Sequence, residues 1–312
     1  MSCENKTETP NEQNEQEGGS KVPCGRPPVP SLKRTLLVCK SDEDFWTANA
    51  RFNHWSNGIG PVSATYYIPA PKYIHDVLTI VQGEPSDEIR SRFNVIEFDP
   101  NTLKSEYLDL VKTEIAKYNQ QVRDYAQAIA RELPDFALEL TEDKSSGRMY
   151  AKFCYAKDFS PKRATGYDYV PQTTLNFERD IDEQIADLKK DVRRFELENE
   201  LLTKYLYLYV YIGKEMKSVA LWQRVVMDDG RIRDGAAVDD IRLDDADFDA
   251  KLQKMNEVCK AASEPGMFYC SLCGTAKPQS EYGTFYFAAQ ACKSCCEKNP
   301  DWVRRAQEET YE

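Results

Sequence analysis

Two long stretches of the chain carry apolar residues at helical spacing. In the first, from Asn101 to Leu133, apolar positions recur every three or four residues and form one stripe along a helix. Asn101 or Thr102 is a suitable N-cap, and Pro134 is a suitable stop. The pattern predicts a helix of about 45 Å. Its stripe consists of Val111, Ile115, Tyr118, Val122, Tyr125 and Ile129.

The second stretch covers about 174–227 and repeats its apolar positions in four-three spacing, which is typical of a heptad seam. It predicts one helix of about 80 Å, in which a buried amide at Asn199 fixes the register. The seam consists of Ile181, Ile185, Leu188, Val192, Phe195, Asn199, Leu202, Leu206, Tyr209, Gly213, Met216 and Ala220. In a parallel dimer, the like charges of Asp191 and Glu196 would face each other. An antiparallel pairing of the two predicted helices is therefore favoured, and a homodimer through the 181–220 seam stays an alternative.

Shorter apolar runs on both sides of the first helix predict strands, because turn residues bound them. The predicted strands are Thr35–Cys39, Ala64–Ile68, Phe136–Leu140 and Met149–Tyr155, and further apolar segments lie at 73–81 and 93–98. The last two strands form a predicted hairpin, with its turn at Ser145-Ser-Gly.

These patterns predict an α+β protein with a small N-terminal mixed domain, long paired helices and a C-terminal zinc module. The first thirty residues have almost no large apolar side chain, so we expect a disordered tail there. An acidic run at 228–249 indicates a solvated linker, and Phe248–Ala262 a short helix. The predicted divisions are a tail at 1–30, an α+β region at 31–100, a helical hairpin at 101–228 with an inserted β-hairpin at 134–171, an acidic linker and short helix at 229–262, and a zinc finger at 263–312.

Composition and charge narrow the classes of protein that fit this organisation. The chain has 312 residues, of which 41% are hydrophobic and 30% charged, with a net charge of -11 and a pI near 5.0. No apolar run of about eighteen residues is present, so no membrane span is predicted. The start of the chain lacks the order of a secretory signal, and the cysteines outside 270–296 are scattered. We therefore expect an intracellular protein, of the cytoplasm or nucleus.

Cysteine spacing near the C-terminus is the strongest chemical signal in the chain. Cys270 and Cys273 form one C-x-x-C pair, and Cys292 and Cys295 form a second. Two residues between thiolates let both sulfurs face one ion, and four thiolates complete the tetrahedral shell that Zn²⁺ prefers. We therefore predict one structural zinc ion with no open position for water. Cys296 is an alternative fourth ligand, although spacing favours Cys295.

The residues around the two pairs predict a treble clef, in which a knuckle is followed by a hairpin and a ligand-bearing helix. Gly274 permits the tight turn after the first pair. The aromatic run Tyr282–Phe287 predicts a short hairpin strand. Helix formers dominate from Ala291 to Glu309, so the second ligand pair is expected on the first turn of a helix.

The run Cys270-Ser-Leu-Cys-Gly-Thr-Ala-Lys-Pro-Gln-Ser-Glu-Tyr, followed by Cys-Lys-Ser-Cys, resembles the zinc-binding part of treble-clef fingers. These include the fingers of phage recombination-endonuclease-type HNH proteins, and the resemblance covers about residues 268–300. Such nucleases need a histidine near the finger, whereas the histidines of this chain, His54 and His75, lie far upstream. The resemblance therefore implies the zinc scaffold and not the nuclease activity.

The favoured function is that of a non-catalytic zinc-binding interaction protein, which docks a protein partner through its long helices and its finger. Aromatic side chains anchor protein interfaces. The finger is also nearly neutral, with five Lys and Arg against six Asp and Glu over 268–312, unlike the basic surface of a DNA reader. The candidate partner-binding residues are Phe285, Tyr286, Phe287, Trp302, Lys277, Lys293, Arg304 and Arg305.

Two other functions stay open at this point. A nucleic-acid-associated factor of transcription or replication would stack bases on the finger's aromatic residues and gather its basic residues on one face. An enzyme, most concretely a metal-dependent nuclease, is disfavoured because the sequence has no Gly-rich phosphate loop, Ser/His/Asp set or catalytic metal triad. No catalytic residue is therefore assigned.

Overall fold

The computed structural model describes residues 25–52, 59–157, 170–226, 232–286 and 289–308. Helices and strands both occur throughout these ranges, which confirms the α+β class. The chain builds three main hydrophobic cores in series, and two long helices each contribute to two of them. None of the helices in these ranges is long and apolar enough to cross a lipid bilayer.

A four-stranded parallel sheet forms the N-terminal core. Its strand order is β2-β3-β1-β4, so β1 lies inside the sheet. All five residues of β1 are buried, which explains why its sequence is an unbroken apolar run rather than an alternating one. The elements of this region are β1 (Thr35–Cys39), α1 (Asp42–Phe52), β2 (Val62–Thr65), β3 (Leu78–Gln82), α2 (Asp87–Arg92) and β4 (Asn94–Glu97).

Both faces of this sheet are covered. Leu36 and Val38 of β1 pack with Ile89 of α2 on one face. Leu37 and Cys39 lie on the other face, where they join a core with α1 and the start of the first long helix. The predicted N-terminal mixed region is therefore a three-layer arrangement with a parallel sheet at its centre.

The first long helix, α3 (Lys104–Glu132), agrees with the predicted helix to within a few residues and continues from the parallel sheet onto a second sheet. That second sheet is antiparallel, with the order β5-β6-β7. Its predicted hairpin is present, and a third strand joins it. The second long helix follows. The elements are β5 (Phe136–Glu142), β6 (Met149–Tyr155), β7 (Gln172–Thr174) and α4 (Ile181–Lys204).

The two long helices meet through the inner face of β6 and not as a coiled coil. Ala151 and Phe153 of β6 are fully buried, and Ile129 of α3 and Ile185 of α4 pack into the same core. Covering a strand with two helices is an efficient way to bury the apolar stripe of each one. The predicted direct pairing of the helices is thus replaced by a shared core that includes a sheet.

The second predicted helix, over 174–227, is wrong at both ends, because α4 begins at Ile181, after β7, and ends at Lys204. The next residues form an antiparallel meander of three strands, β8 (Leu208–Ile212), β9 (Ser218–Val226) and β10 (Ile232–Arg242), in the order β10-β9-β8. The heptad seam over 181–220 is therefore not continuous, and no single helix presents it to a second copy. Asn199 is buried, but its amide donates to the carbonyl of Phe195 within the same helix (2.7 Å).

Alternation explains why this segment is sheet. Leu208, Val210 and Ile212 are buried in β8 (Leu208–Ile212), whereas the two tyrosines between them are half-buried or exposed. A period of two with β-branched and aromatic residues favours a strand. A turn at Gly213 then leads into β9, with Met216 at a φ of 52°.

The acidic linker predicted for the first half of 229–262 is also wrong. Residues Ile232–Arg242 form β10, in which Ala236, Val238 and Ile241 face the third core. Acidic side chains such as Asp239 and Asp240 occupy the exposed positions. The second half of the predicted segment is the expected helix, with the predicted bounds. The elements of this part are β8, β9 (Ser218–Val226), β10 and α5 (Phe248–Ala262).

Part of the predicted tail is ordered against the two long helices. The Arg26 guanidinium donates to Glu132 at the end of α3 (2.6 Å) and to Asp182 at the start of α4 (2.7 Å). Its side chain is only 6% exposed, and Pro30 is buried as well. Residues 25–34 therefore form a strap across the helices, so the prediction of disorder is wrong from residue 25 onwards. Residues 1–24 lie outside the described ranges.

The C-terminal part consists of two short hairpins and two short helices. Its elements are β11 (Met267–Cys270), β12 (Thr275–Pro278), β13 (Tyr282–Tyr286), β14 (Ala289–Cys292), α6 (Lys293–Lys298) and α7 (Pro300–Glu308). β11 pairs with β12 and β13 pairs with β14, both in antiparallel register. We call residues 267–298 the cysteine module, because these elements carry the two C-x-x-C pairs.

Candidate metal centre

The first cysteine pair lies at the turn between β11 and β12. Cys270 is the last residue of β11, and its carbonyl accepts a hydrogen bond from the Gly274 amide (2.9 Å). Gly274 has a φ of 64°, in the left-handed region that favours glycine. The turn thereby points the sulfurs of Cys270 and Cys273 toward the same space, as the sequence predicts for a metal-binding knuckle.

The second pair lies where β14 joins α6. Cys292 ends the strand, and Cys295 lies in the first turn of the helix. The Cys292 amide donates to Cys270 Sγ (3.3 Å), so backbone of the second hairpin holds a sulfur of the first. Amide groups directed at a sulfur stabilise its thiolate form.

The four sulfur atoms of Cys270, Cys273, Cys292 and Cys295 all lie within 4.8 Å of one another. Four thiolates about 2.3 Å from a tetrahedral zinc ion are separated by about 3.8 Å. The observed cluster is therefore close to the size that one metal ion requires. Cys270 and Cys292 are buried, Cys295 is half-buried and Cys273 is exposed, so the site lies at the edge of the module.

Cys296, the alternative fourth ligand, lies outside this cluster. Its sulfur packs against the backbone of Gly283 in β13, so closely that a Cβ at position 283 would lie 2.7 Å from it. A side chain at position 283 would therefore displace the Cys296 sulfur, and it would also crowd the backbone of Ala291 and Cys292, 3.1 and 3.2 Å away. The geometry selects Cys295, in agreement with the spacing.

The pKa values of the thiols indicate that the cluster requires a cation to bind it as thiolates. Burial raises the pKa of Cys270, and burial together with hydrogen bonds from the other cysteines raises that of Cys295 well above its usual range. Burial also acts on Cys273, but hydrogen bonds from Thr275 and the neighbouring thiols outweigh it and lower the pKa to about 7. Four sulfurs this close cannot all become thiolates without a compensating cation. A divalent metal ion supplies that charge.

The cysteine module is attached to the third core by contacts that the sequence does not indicate. Ser271 lies between the candidate ligands Cys270 and Cys273, and its hydroxyl donates to the Ala237 carbonyl of β10 (2.7 Å). The Ser271 amide donates to the Gln290 carbonyl (2.7 Å), and the Gln290 amide donates back to the serine hydroxyl (3.2 Å). Tyr269 is buried in the third core itself. The module is therefore part of the folded body and not a finger on a linker.

The predicted partner-binding residues are distributed over several elements. Phe285 of β13 is 51% exposed. Trp302 is half-buried on α7, which packs against β13. The side chain of Tyr286 and all of Phe287 lie outside the described ranges, so that part of the predicted aromatic surface is not placed.

The four basic residues lie on three elements, β12, α6 and α7. Lys277 of β12 lies 3.9 Å from Glu281, and Arg304 of α7 lies 3.4 Å from Asp301. Lys293 donates to the Ser280 carbonyl (2.9 Å). Arg305 is exposed. Three of these side chains are thus already engaged, two of them with carboxylates.

Comparison of the chain with protein-family models, with curated proteins and with solved structures finds no match. The similarity to HNH-type fingers therefore stays a resemblance over residues 268–300. The assignment of a metal centre rests on the geometry of the cysteines.

Proposed function

We propose that this chain is a non-catalytic zinc-binding interaction protein, whose cysteine module holds one structural zinc ion and, together with α7, presents a surface to a protein partner. The proximity of the four sulfurs carries the proposal. Zinc is favoured because it accepts four thiolates in a tetrahedral shell without any demand for another geometry or redox state. Four protein ligands leave no position for a substrate or an activated water molecule, so the ion is structural.

The order of elements supports a treble-clef assignment for the module. A knuckle between β11 and β12 supplies the first ligand pair, and the β13-β14 hairpin follows. The second pair comes from the end of that hairpin and the first turn of α6. Among its described residues, the module's own buried cluster consists of Phe268, Cys270 and Cys292, with Tyr282 and Cys295 packed against them. Such a small core favours stabilisation by a metal ion.

The proposed docking surface is the exposed side of β13 together with α7. Phe285 supplies an exposed aromatic anchor there, and Trp302 on α7 is partly accessible. The nearly neutral charge of the module favours a protein partner over a phosphate backbone. The long helices contribute less than the sequence suggests, because Ile129 and Ile185 of their apolar stripes face the chain's own second core.

Metal content of adjacent cysteine variants tests the zinc site. We expect one zinc ion per chain by elemental analysis and native mass spectrometry of the purified protein. Cys295→Ser removes a ligand and should abolish stoichiometric zinc, whereas Cys296→Ser, one residue further on, should retain it. Equal zinc content in both variants, or no zinc in the unaltered protein, would refute the site.

Photo-crosslinking tests the docking surface. A crosslinking amino acid at position 285 should give a discrete protein adduct in cells that express the chain, and zinc removal should abolish that adduct. Tyr211 on β8 is a matched control, because it is 52% exposed. An equal adduct from position 211 would argue against a specific surface at Phe285. A nucleic-acid adduct at 285 would support the nucleic-acid-associated factor instead.

A further inference from the structure

A cleft of about 590 Å³ lies between the strap, α3 and the second sheet, away from the cysteine module. Its volume is within the range of small-molecule sites, roughly 300–1,000 Å³. Two arginines and three aromatic residues are among its lining side chains. These are Arg34 of the strap, Tyr118 of α3, Arg148 and Tyr150 at the start of β6, and Phe177 after β7.

The backbone around Arg148 is held rigidly. The buried Asn119 of α3 donates to the Gly147 carbonyl (2.7 Å) and accepts from the Met149 amide (2.8 Å). The Arg148 carbonyl accepts from the Asp143 amide (2.9 Å), and its own amide donates to the Ser146 hydroxyl (3.3 Å). Residues on both sides of Arg148 are thus fixed by one buried amide side chain.

In contrast to its backbone, the guanidinium of Arg148 has no hydrogen-bond or ion-pair partner among the described residues. Its Nε atom is buried and is the one buried side-chain nitrogen or oxygen in those ranges without a partner. A buried donor left unpaired carries a free-energy cost that a bound acceptor removes. Arg34, by comparison, pairs with Glu178 and donates to the His75 carbonyl (3.2 Å).

The charged side chains that line the cleft act on the Tyr118 hydroxyl. Burial raises the pKa of Tyr118, the positive charges of Arg148 and Arg34 oppose that rise, and the negative charge of Glu178 adds to it. Both guanidiniums therefore act on the same part of the cleft. With one carboxylate, Glu178, against two arginines, the cleft is locally positive in a chain of net charge -11.

We propose that this cleft binds a mononucleotide, with the phosphate at Arg148 and the base against Tyr118 and Tyr150. A planar guanidinium matches two phosphate oxygens in a bidentate contact. The aromatic side chains offer faces for stacking a flat ring. A bare anion would contact only the guanidinium, and an uncharged aromatic compound would contact only the aromatic side chains.

A single strand of nucleic acid carries the same phosphate and base. The mononucleotide is favoured because the strong negative charge of the chain repels an extended polyanion. The proposal is independent of the zinc site, since neither the cleft nor the Asn119 contacts include a residue of the cysteine module.

Isothermal titration calorimetry of the full chain tests the proposal, with AMP, GMP, CMP and UMP as probes and inorganic phosphate, adenosine and ten-residue oligothymidylate for comparison. At least one mononucleotide should bind with a Kd of about 1 mM or tighter. Arg148→Gln should weaken that binding about tenfold or more, because it removes the charged contact. Tyr150→Leu should weaken mononucleotide binding and leave the weak phosphate binding unchanged.

Arg92→Gln is the matched control, because Arg92 is an exposed arginine on α2 paired with Glu88 and should not affect binding. Circular dichroism would verify that each variant is folded. The proposal is overturned if no mononucleotide binds with a Kd of about 1 mM or tighter, or if Arg148→Gln binds as tightly as the unaltered chain. Inorganic phosphate that binds as tightly as the nucleotides would also overturn it, as would preferred, steeply salt-dependent binding of the oligonucleotide.

Discussion

The parallel sheet near the N-terminus and the cysteine module near the C-terminus are stabilised in different ways. The sheet has helices on both faces, and each face has its own buried cluster around β1. The module has a single small cluster, two of whose buried members are the proposed ligands Cys270 and Cys292. A region that buries many apolar side chains is stable through its core, whereas a small region needs a cross-link or a metal ion.

The difference implies that metal and core substitutions act on different parts of the molecule. Between the two regions lie a second and a third core, joined by α4, which contributes Leu188 to one and Leu202 to the other. We expect the sheet to be insensitive to zinc and the module to depend on it.

Loss of the metal should have the largest effect. The double variant Cys270→Ser, Cys273→Ser removes half of the proposed shell, and the metal-linked free energy of such sites is on the order of 10 kcal/mol. Limited proteolysis should then cut within 263–308, while hydrogen exchange of Thr35–Cys39 stays slow. Cys154→Ser is the control, since Cys154 lies in β6, outside the cluster. Exposure of the parallel sheet in the double variant would contradict the division between the two regions.

A cavity in the parallel sheet should destabilise the sheet and leave the zinc site intact. Leu37 is fully buried in β1, and Leu37→Ala should lower the free energy of unfolding by about 2–5 kcal/mol. Urea denaturation measures this loss, and elemental analysis should still find one zinc ion per chain. Leu110→Ala on the surface of α3, where Leu110 is 53% exposed, should change little. Zinc loss in Leu37→Ala would indicate that the two regions unfold as one unit.

Weakening the attachment of the module should cost less. Ser271→Ala removes the hydroxyl that donates to the Ala237 carbonyl and accepts from the Gln290 amide, at a cost of about 1–2 kcal/mol. Zinc content should remain unchanged, while hydrogen exchange in β10 becomes faster. Ser280→Ala is a suitable control, because Ser280 is exposed and contributes its backbone carbonyl to Lys293. If Ser271→Ala loses its zinc, the attachment and the metal site are a single structural unit.

Acidification should have the smallest effect, which is release of the strap. The hydrogen bond from Arg26 lowers the pKa of Glu132, against the opposing effect of burial. A carboxylate with a lowered folded-state pKa stabilises the fold above its unfolded pKa, and this contribution is lost as the pH falls through the folded value. The stabilising contribution of Glu132 is therefore lost below about pH 4.3, the usual pKa of a glutamate side chain.

Hydrogen exchange of residues 25–34 measures this release. Exchange should accelerate below that pH in the unaltered chain, and Glu132→Gln should already show fast exchange at neutral pH. Glu114→Gln is the control on the same helix, because Glu114 pairs only with Lys117 among the ion pairs of the described ranges. If residues 25–34 of the unaltered chain exchange equally fast at neutral pH and below about pH 4.3, the Arg26 contact does not hold the strap.

Local patterns in the sequence were sufficient where neighbouring residues decide the structure. The helix α3, the β5-β6 hairpin and the bounds of α5 agree with the predicted elements, because periodicity and turn residues act over short distances. The segment after Lys204 shows the limit of such patterns. Its apolar residues at 206, 209, 213, 216 and 220 fit a heptad, yet Leu208, Val210 and Ile212 alternate between them. The alternating pattern prevails over the heptad because it completes a three-stranded sheet over a common core.

The two candidate sites differ in the same respect: local spacing predicts the cysteine site but not the cleft at Arg148. The two C-x-x-C pairs indicate a shared ion by spacing alone, because two intervening residues suffice to place both sulfurs on one side of a turn. Spacing favours Cys295, but it is the close packing of Cys296 on Gly283 that shows where the neighbouring thiol goes. The cleft at Arg148 has no such signature, since its residues are scattered from Arg34 to Phe177.

The sequence by itself determined the helical stripe of α3, the hairpin beside it and the four cysteines, all of which depend on residues close together in the chain. Only the tertiary structure decided the strand order of the parallel sheet, the end of α4 at Lys204 and the attachment of the module through Ser271. These features depend on contacts between distant segments, and the free energy of such contacts outweighs local preference when a larger apolar surface becomes buried.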